Sequence, residues 1–417
     1  MLMRICIVTF GFPVRSETFI VEQVRALQEQ GHEIVVLCDR AGDLIDIDSQ
    51  HIVPTGVRTS LIPSSFLRVL VAAAHTNIVA NRPKILQILR ALSRPSNTGL
   101  GRLTLLGVAI RLAVHGPFDL ILAHFGPNGE RAAAAREMLS CSAPIATVFH
   151  GFDVSRRDVW FRSRRYPLLG RFGDLFLPVS EFWAERLAEA GLPRHRIVVQ
   201  RMGIDLQKFR YRIPDSTKRP LRVLSVGRMV EKKGFDCGIR AISRLNSAGH
   251  DVVYRIAGDG PLRTRLESLS AQLSVNRCVE FIGWKSPSEV RYLMADADVL
   301  LVPSITAPDG DMEGLPVVIM EAMASGTLVV ATRHSGIPEL VDDGRSGWLA
   351  IEGDPASLAD AIVRAINRRA EWPSIAAEAR RRVEAQHDSR KLAAELMELV
   401  TRRFGTDSGQ QSQKPGG

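Results

Sequence analysis

The chain of 417 residues is 45% hydrophobic and 24% charged, which suits about two globular domains with their own cores. A formal net charge of +9 favours anionic partners such as nucleotide phosphates or lipid headgroups, with a solvated basic surface as the alternative. Five scattered cysteines, odd in number and without a Cys-x-x-Cys pair, argue against a disulfide framework or zinc cluster and favour a reducing compartment.

The first elements predict the start of a parallel sheet. "RICIVTF" has the pattern of a buried strand, "SETFIVEQVRALQEQG" has helical periodicity and "HEIVVLC" is a second strand. Because the apolar run ends at Arg15 and leads directly into the helix, we expect a first strand and not a signal peptide.

Residues 58–115 are rich in Leu, Ala and Arg and predict helices. Within them, "SFLRVLVAAAHTNIVANRPKILQILRAL" could rest on a membrane surface or could be a helix pair packed on its own core. No uncharged apolar stretch approaches the ~18 residues of a membrane span, so we expect a cytoplasmic protein, at most peripheral on the inner face of the cytoplasmic membrane. "FDLILAHF", "APIATVFHG" and "DLFLPVS" predict three more strands.

The second half predicts a doubly wound α/β domain. Its strand candidates are "LRVLSVG", "VVYRIAG", "VEFIGW", "DVLLVPS" and "TLVVAT", and helix-like segments separate them. In such a fold the ligand site lies beyond the carboxyl ends of the strands. The expected fold is therefore α/β, with two Rossmann-like domains facing each other across a cleft.

Composition also predicts the boundaries. The expected units are an N-terminal domain (1–205), a charged linker with two prolines (206–220), a C-terminal domain (221–375), a C-terminal helix packing back on the N-terminal domain (376–403) and a disordered tail (404–417).

The loop in "VGRMVEKKGFD" carries Arg228, Lys232 and Lys233 at the end of a predicted strand. Cations at the carboxyl end of a parallel strand are placed to meet phosphate, with Arg able to bind it bidentately. An exposed basic loop is the alternative.

The segment "EGLPVVIMEAMASG" predicts an anion site at a helix start. Pro316 suits a first helical turn, Gly314 allows the backbone to approach a ligand, and the free N–H groups can bind a diphosphate. Glu321, inside the helix, could accept hydrogen bonds from sugar hydroxyls, while Glu313 would face another part of the ligand. The neighbouring Asp309-Gly310-Asp311 run is interpreted as a polar loop and not as a metal site.

Together, the two glutamates, the "GR…EKKG" loop and "HSGIPELVDDGRSGWL" resemble the retaining glycosyltransferases of family 4, which have the GT-B fold. "PVRSETFIVEQVRAL", "FHGFDVS" and "RMGIDLQKF" are similar to the branch that builds exopolysaccharides, including colanic-acid-type enzymes. The resemblance implies an N-terminal acceptor-binding domain, a C-terminal nucleotide-sugar-binding domain and no metal or other cofactor.

The resemblance also implies a role for each candidate residue. Arg228 and Lys233 would neutralise the leaving diphosphate, Glu313 would hold the donor sugar, and His150 would line the reaction centre. Glu321 would bind the ribose. The other donor-binding candidates are Gly314, Leu315, Pro316, Gly283, Trp284, Lys285 and Gly11. Gly11 stands alone where many relatives carry a glycine pair.

The expected partners are a nucleotide sugar and a glycan or polyprenyl-diphosphate-linked acceptor, with peripheral contact to an anionic membrane. Two alternatives keep the same fold: a sugar phosphorylase or sucrose-synthase-like enzyme, and a non-catalytic nucleotide-sugar-binding protein. A nucleic-acid partner is not expected, because only 6% of residues are aromatic and none interleave with basic stretches.

Overall fold

A computed structural model describes residues 2–14, 17–41, 58–61, 102–162, 166–215, 217 and 220–405. The predicted membrane-facing or paired helices around residues 65–92 and the tail from residue 406 lie outside these residues. Among the described helices, none is both long and apolar enough to cross a bilayer.

The N-terminal half is built on a six-stranded sheet in the order β3-β2-β1-β4-β5-β6, in which every pair is parallel. Its strands are β1 (Arg4–Phe12), β2 (Glu33–Ala41), β3 (Arg58–Leu61), β4 (Leu120–His124), β5 (Ile145–Phe149) and β6 (Leu175–Pro178). The helices are α1 (Thr18–Glu29), α2 (Arg102–His115), α3 (Gly126–Leu139), α4 (Phe152–Ser155), α5 (Arg157–Arg162), α6 (Pro167–Phe172) and α7 (Glu181–Glu189).

The C-terminal half repeats this architecture with the order β12-β11-β10-β7-β8-β9, again all parallel. Its strands are β7 (Leu221–Val226), β8 (Val252–Ala257), β9 (Val279–Gly283), β10 (Val299–Val302), β11 (Leu328–Thr332) and β12 (Trp348–Ala350). Its helices are α8 (Phe235–Ser247), α9 (Arg263–Gln272), α10 (Pro287–Asp296), α11 (Val317–Ser325), α12 (Ile337–Leu340) and α13 (Pro355–Asn367), followed by α14 (Trp372–Gln386) and α15 (Ser389–Phe404).

The central strands have the sequence pattern of a sheet covered on both faces. Every residue of β4, β5, β10 and β11 is buried. Parallel strands covered by helices on both sides are near-continuous apolar runs, because neither face meets water. The predicted α/β fold with two doubly wound sheets is confirmed.

One prediction within this fold is wrong. Residues 58–61, which composition assigned to a helical stretch, form strand β3 and pair with Val35–Cys38 of β2. A four-residue edge strand shows too little periodicity to stand apart from the Leu- and Ala-rich chain that follows it. Strand β12, at the opposite edge of the second sheet, was not predicted either.

The two halves are joined twice. The chain passes from the first to the second half after a short 3₁₀ turn at Leu206–Lys208, inside the predicted linker, and it returns between α14 and α15. At the return, the N–H of Ile204 donates to the carbonyl of His387 at 2.9 Å, and the N–H of Ser389 donates to the carbonyl of Ile204 at 3.1 Å. α15 then packs against α1 of the N-terminal half.

Glu339 makes a side-chain contact between the halves. Its carboxylate accepts hydrogen bonds from the N–H groups of Glu181 and Phe182, both at 2.9 Å. These N–H groups belong to the first turn of α7, where donors lack partners within the helix. A side chain of the second half therefore caps a helix of the first, which restrains the angle between them.

Candidate functional site

A cavity of about 600 Å³ lies between the two halves, beyond the carboxyl ends of both central sheets. The C-terminal wall is the part lined by residues 226–321, and it includes Arg228, Lys232, Lys233, Glu313 and Glu321. The N-terminal wall is the part lined by Glu17, Thr18, Phe19, Phe125, His150, Phe152 and Met202. The cavity thus brings together candidates from the strand β7 loop, the start of α11 and the loop after β5.

The basic loop follows directly from the end of β7. Gly227 has φ +157°, after which Arg228 is exposed and Glu231–Lys233 form a 3₁₀ turn. The turn directs Lys233 Nζ to within 3.0 Å of the Glu313 carboxylate and Lys232 Nζ to within 3.1 Å of Asp311. The loop therefore joins its cations to the acidic segment that precedes α11.

Glu313 is buried yet held as a carboxylate. Burial alone would raise its pKa, but the ammonium groups of Lys233 and Lys232 outweigh burial and lower the pKa below its usual value. Its backbone N–H donates to His334 Nε2 at 3.1 Å, and His334 Nδ1 lies 2.9 Å from Glu352. This arrangement places the His334 proton on Nδ1 and orients the backbone at Glu313.

Helix α11 presents an uncapped amino end to the cavity. Pro316 occupies the N-cap position, and within the described part of the chain no side chain caps the first turn. Unpaired N–H groups together with the helix dipole form a site for an anion. Gly314, Leu315 and Pro316 all line the cavity at this end.

Glu321, one turn into α11, also lines the cavity and is half-buried. Burial raises the pKa of its carboxyl to about 7, although the nearby guanidinium of Arg291 opposes the shift and Glu22 adds to it. No hydrogen bond from the described residues reaches this carboxyl. It is therefore placed to accept hydrogen bonds from a ligand, which would offset the cost of burying its charge.

Gly314 is where the two walls touch. A Cβ on Gly314 would lie 1.8 Å from the carbonyl oxygen of His150, so only glycine allows this approach. The carbonyl of Gly314 accepts hydrogen bonds from Trp183 Nε1 and Ser335 Oγ, each at 3.2 Å. Gly151, with φ +114°, faces the same backbone.

His150 belongs to a buried histidine pair that the sequence did not reveal. Its Nε2 lies 3.0 Å from His124 Nδ1, and the two remaining ring nitrogens have no hydrogen-bond partner. Burial lowers the pKa of His124 to about 3, and burial with the neighbouring ring lowers that of His150 well below its usual value. Both rings are therefore neutral, and one donates to the other.

Asp153 holds the backbone around this pair. It accepts hydrogen bonds from the N–H of Gly126, which follows β4, and from the N–H of His150, which follows β5. Burial raises the pKa of Asp153 to about 6, and these backbone donors oppose the shift. The ends of two neighbouring strands are thus fixed to one carboxyl group.

Of the remaining donor-binding candidates, some line the cavity and others do not. Trp284 and Lys285 line the cavity after β9, whereas Gly283 supports them: its carbonyl accepts from the N–H of Gly258 at 2.8 Å. Gly11 is buried in β1 beside Val14 and Arg40 and is not among the described residues that line the cavity.

The acidic run before α11 serves as a connection between the halves. The carbonyl of Asp309 accepts from the N–H of Arg157, and its carboxylate lies 3.5 Å from the Arg156 guanidinium. Asp311 pairs with Lys232 within the C-terminal half. Within the described residues, no group of three His, Cys, Asp or Glu side chains is arranged to hold a metal ion.

Comparison with known proteins agrees with this geometry. Family models match consecutive parts of the chain: "Glycosyltransferase Family 4" over residues 16–208 and "Glycosyl transferases group 1" over residues 208–385. A protein of Escherichia coli K12 named "Putative colanic acid biosynthesis glycosyltransferase WcaL" is 37% identical over 410 residues, covering 95% of this chain and 99% of that protein. The chain belongs to the family 4 glycosyltransferases.

Other relatives of this glycosyltransferase extend the comparison. The amylovoran biosynthesis glycosyltransferase AmsK of Erwinia amylovora is 36% identical, covering 96% of this chain and all of that protein. The solved structure of Anabaena HepE with UDP superposes with a TM-score of 0.72 at 20% identity, covering 96% of this chain and 100% of the other, which shows a shared GT-B fold. The family and the fold predicted from the sequence are therefore confirmed.

Sequence reasoning missed His124, Glu17 and Arg291, which the structure places in or next to the cavity. His124 ends β4 just as His150 follows β5, so the strand-end rule could have found it. Glu17 and Arg291 lie at helical positions where no spacing distinguishes a cleft residue from a solvated one.

Proposed function

We propose that this enzyme transfers a sugar from a nucleotide diphosphate sugar to a hydroxyl of a glycan or polyprenyl-diphosphate-linked glycan, with retention of anomeric configuration and without a metal ion. The observation that carries the proposal is the convergence of Arg228, Lys233 and the uncapped amino end of α11 on one cavity. These groups are suited to a diphosphate, and Glu321 beside them is suited to the ribose.

The chemistry follows from where charge develops. As the bond from sugar to phosphate breaks, the diphosphate gains negative charge and the sugar becomes oxocarbenium-like. Cations and N–H groups fixed in advance stabilise that diphosphate more than the ground state, which accelerates departure. The acceptor hydroxyl attacks from the same face and gives its proton to the leaving phosphate, so no covalent intermediate on the protein is needed.

Glu313 has a holding role in this scheme. Its carboxylate is tied to Lys233 at 3.0 Å, and its backbone is tied to His334. A carboxylate engaged in this way is suited to orienting donor-sugar hydroxyls and the lysine, rather than to forming a bond with the sugar. His150, neutral and at the opposite wall, is placed to hydrogen-bond the donor sugar or the incoming hydroxyl.

The relatives' names support a role in surface polysaccharide biosynthesis, since they refer to colanic acid and amylovoran. We place the enzyme in the cytoplasm, with peripheral contact to the inner face of the cytoplasmic membrane where a lipid-linked acceptor would be presented. The net charge of +9 fits an anionic surface.

A panel of UDP- and GDP-sugars, scored by thermal shift and by slow hydrolysis without acceptor, tests the donor assignment. One nucleotide sugar should stabilise the protein and be hydrolysed to the nucleoside diphosphate, and EDTA should leave turnover unchanged. Loss of turnover in EDTA that Mn²⁺ restores would overturn the metal-independent mechanism. Turnover that requires inorganic phosphate would instead indicate a sugar phosphorylase.

A further inference from the structure

The two walls of the cavity differ in charge. The C-terminal wall carries five cationic side chains: Arg228, Lys232, Lys233, Lys285 and Arg291. On the N-terminal wall, no lysine or arginine is among the described residues that line the cavity. Among the described residues, the groups suited to a diphosphate therefore lie on the C-terminal wall, whereas the N-terminal wall presents a carboxylate and aromatic rings.

Glu17 is the acidic residue of the N-terminal wall, and its local structure is unusual. It occupies the N-cap position of α1, yet its carboxylate accepts no hydrogen bond from the first turn of the helix. A side-chain oxygen at this position ordinarily accepts from the N2 or N3 backbone N–H. Among the described residues, no donor reaches the buried Oε2, and Glu17 lines the cavity, which places an unsatisfied acceptor at the edge of this wall.

Groups around Glu17 set its charge. Burial raises the pKa of its carboxyl to about 7, and the Arg40 guanidinium on β2 opposes the shift. Among the described residues that line the N-terminal wall, the other titratable group is His150, which is neutral. At pH 8 the Glu17 carboxyl is therefore ionised for most of the time and is a strong hydrogen-bond acceptor.

Aromatic rings stand beside this acid. Phe19 packs on the His150 ring with centroids 4.6 Å apart, and Phe152 packs on Phe125 at 5.0 Å. Phe19 and Phe152 are each only partly buried, so part of each ring is open to the cavity. The face of an aromatic ring carries negative charge and attracts polarised C–H groups such as those on a sugar ring.

We propose that Glu17, Phe19 and Phe152 form the binding site for the terminal sugar of the acceptor and select a sugar without a negative charge. The rings receive the C–H face of the sugar, and the Glu17 carboxylate accepts hydrogen bonds from hydroxyls that do not attack. This inference rests on the proposed function, and it adds the class of acceptor sugar and the residue that selects it.

Selection follows from electrostatics. A uronic acid or sugar phosphate would bring a second negative charge close to Glu17 in a partly dehydrated site, where like charges repel more strongly than in water. An acceptor that carries a diphosphate further from its reacting end is compatible, because that group would lie outside this wall.

Binding of simple sugars in the presence of saturating UDP or GDP tests the inference at pH 8. Ligand-observed NMR would compare the methyl glycosides of glucose, galactose and mannose with methyl glucuronide and glucose 6-phosphate. We expect at least one neutral glycoside to bind the wild type, and about tenfold tighter than either charged sugar. Glu17→Ala should weaken that neutral glycoside about tenfold, whereas Glu17→Gln should mainly reduce the discrimination against the charged sugars.

The matched control is Glu137→Gln, an exposed glutamate near the end of α3 in the same half. This variant should bind the neutral glycoside and the charged sugars as the wild type does, with the same ratio between their affinities. Because Glu17 lies on the opposite wall from the cations that would meet the diphosphate, its variants should keep wild-type affinity for the nucleotide, which also reports a folded cleft. Tighter binding of a charged sugar by the wild type, no binding of any neutral glycoside, or wild-type behaviour of Glu17→Ala would overturn the inference. If the wild type bound neither UDP nor GDP, the proposed function itself would fail.

Discussion

In the C-terminal half, the cleft carboxylate of Glu313 is kept ionised by Lys233 at 3.0 Å; in the N-terminal half, His150 is kept neutral by burial against His124. The same sheet order therefore supports two different electrostatic surroundings. In the proposed function, paired charges suit the wall that would meet a diphosphate, and neutral rings suit the wall that would meet a sugar. Glu321 is an exception on the charged side, because burial raises the pKa of its carboxyl to about 7.

Forcing the two walls apart should have the largest effect. In Gly314→Ala the new Cβ would need to share space with the carbonyl of His150, at 1.8 Å, so the halves must separate. We expect transfer to fall by about 1000-fold or more, since misplacement by an ångström can cost about 100-fold. Gly170→Ala is the control, because its Cβ would meet no atom closer than 3.6 Å. Near-normal turnover of Gly314→Ala would show that the contact is dispensable.

Removing a cation from the C-terminal wall should have the second-largest effect on transfer. Arg228→Ala and Lys233→Met should each lower kcat about 100- to 1000-fold, because in the proposed mechanism each removes a preorganised group that would stabilise the leaving diphosphate. Steady-state kinetics with the preferred nucleotide sugar would measure this, with the exposed Arg277→Ala as control. A change in KM alone would mean that these cations bind donor and transition state equally.

Glu321→Gln should weaken donor binding while making the ligand-free protein more stable at pH 8. The donor KM should rise about tenfold or more, since a hydrogen bond to a charged group contributes about 1.5–3 kcal/mol. Because the folded pKa, about 7, lies above the ordinary 4.5, ionisation at higher pH opposes folding. The ligand-free variant should therefore be about 2 kcal/mol more stable than wild type at pH 8, with the gain vanishing below about pH 4.5. Equal denaturation midpoints at pH 8 would contradict the shift.

The smallest effect is expected within the histidine pair. His124→Ala leaves His150 Nε2 buried without a partner, which costs about 1–3 kcal/mol of stability and loosens the ring. We expect about a tenfold loss in kcat and a lower melting temperature, with His124→Gln recovering part of both through a replacement hydrogen bond. If His124→Ala matched the wild type in kcat, the pair would have no part in positioning His150.

Prediction from sequence succeeded where a signal was local. The two Rossmann-like halves and helix α11 followed from apolar runs and turn residues that lie next to one another in the chain. The edge strand β3 escaped notice because only one of its four residues is apolar, and β12 because it is only three residues long; both are identified by the strand beside them.

Prediction of the site likewise succeeded for residues with a local sequence signal and failed for the others. Residues at strand ends and at the start of α11 could be proposed from sequence, because parallel strands present their carboxyl ends at one edge. Gly11 was implied by the resemblance alone, and the structure places it beside Val14 and Arg40 and not among the described residues that line the cavity. Glu17 could not be found in this way, since a glutamate before a helix is an ordinary N-terminal residue until its buried Oε2 is seen to lack a hydrogen bond from the described part of the chain.

By itself, the sequence determined the alternation of strands and helices, the family, and the residue types available for binding a diphosphate and a sugar. Only the tertiary structure decided which of those groups are charged and which are neutral. That depends on neighbours distant in the chain: His124 and His150 are 26 residues apart, and Lys232 and Asp311 are 79 residues apart. Burial and pairing set a pKa, and both arise only when the two halves fold and close on each other.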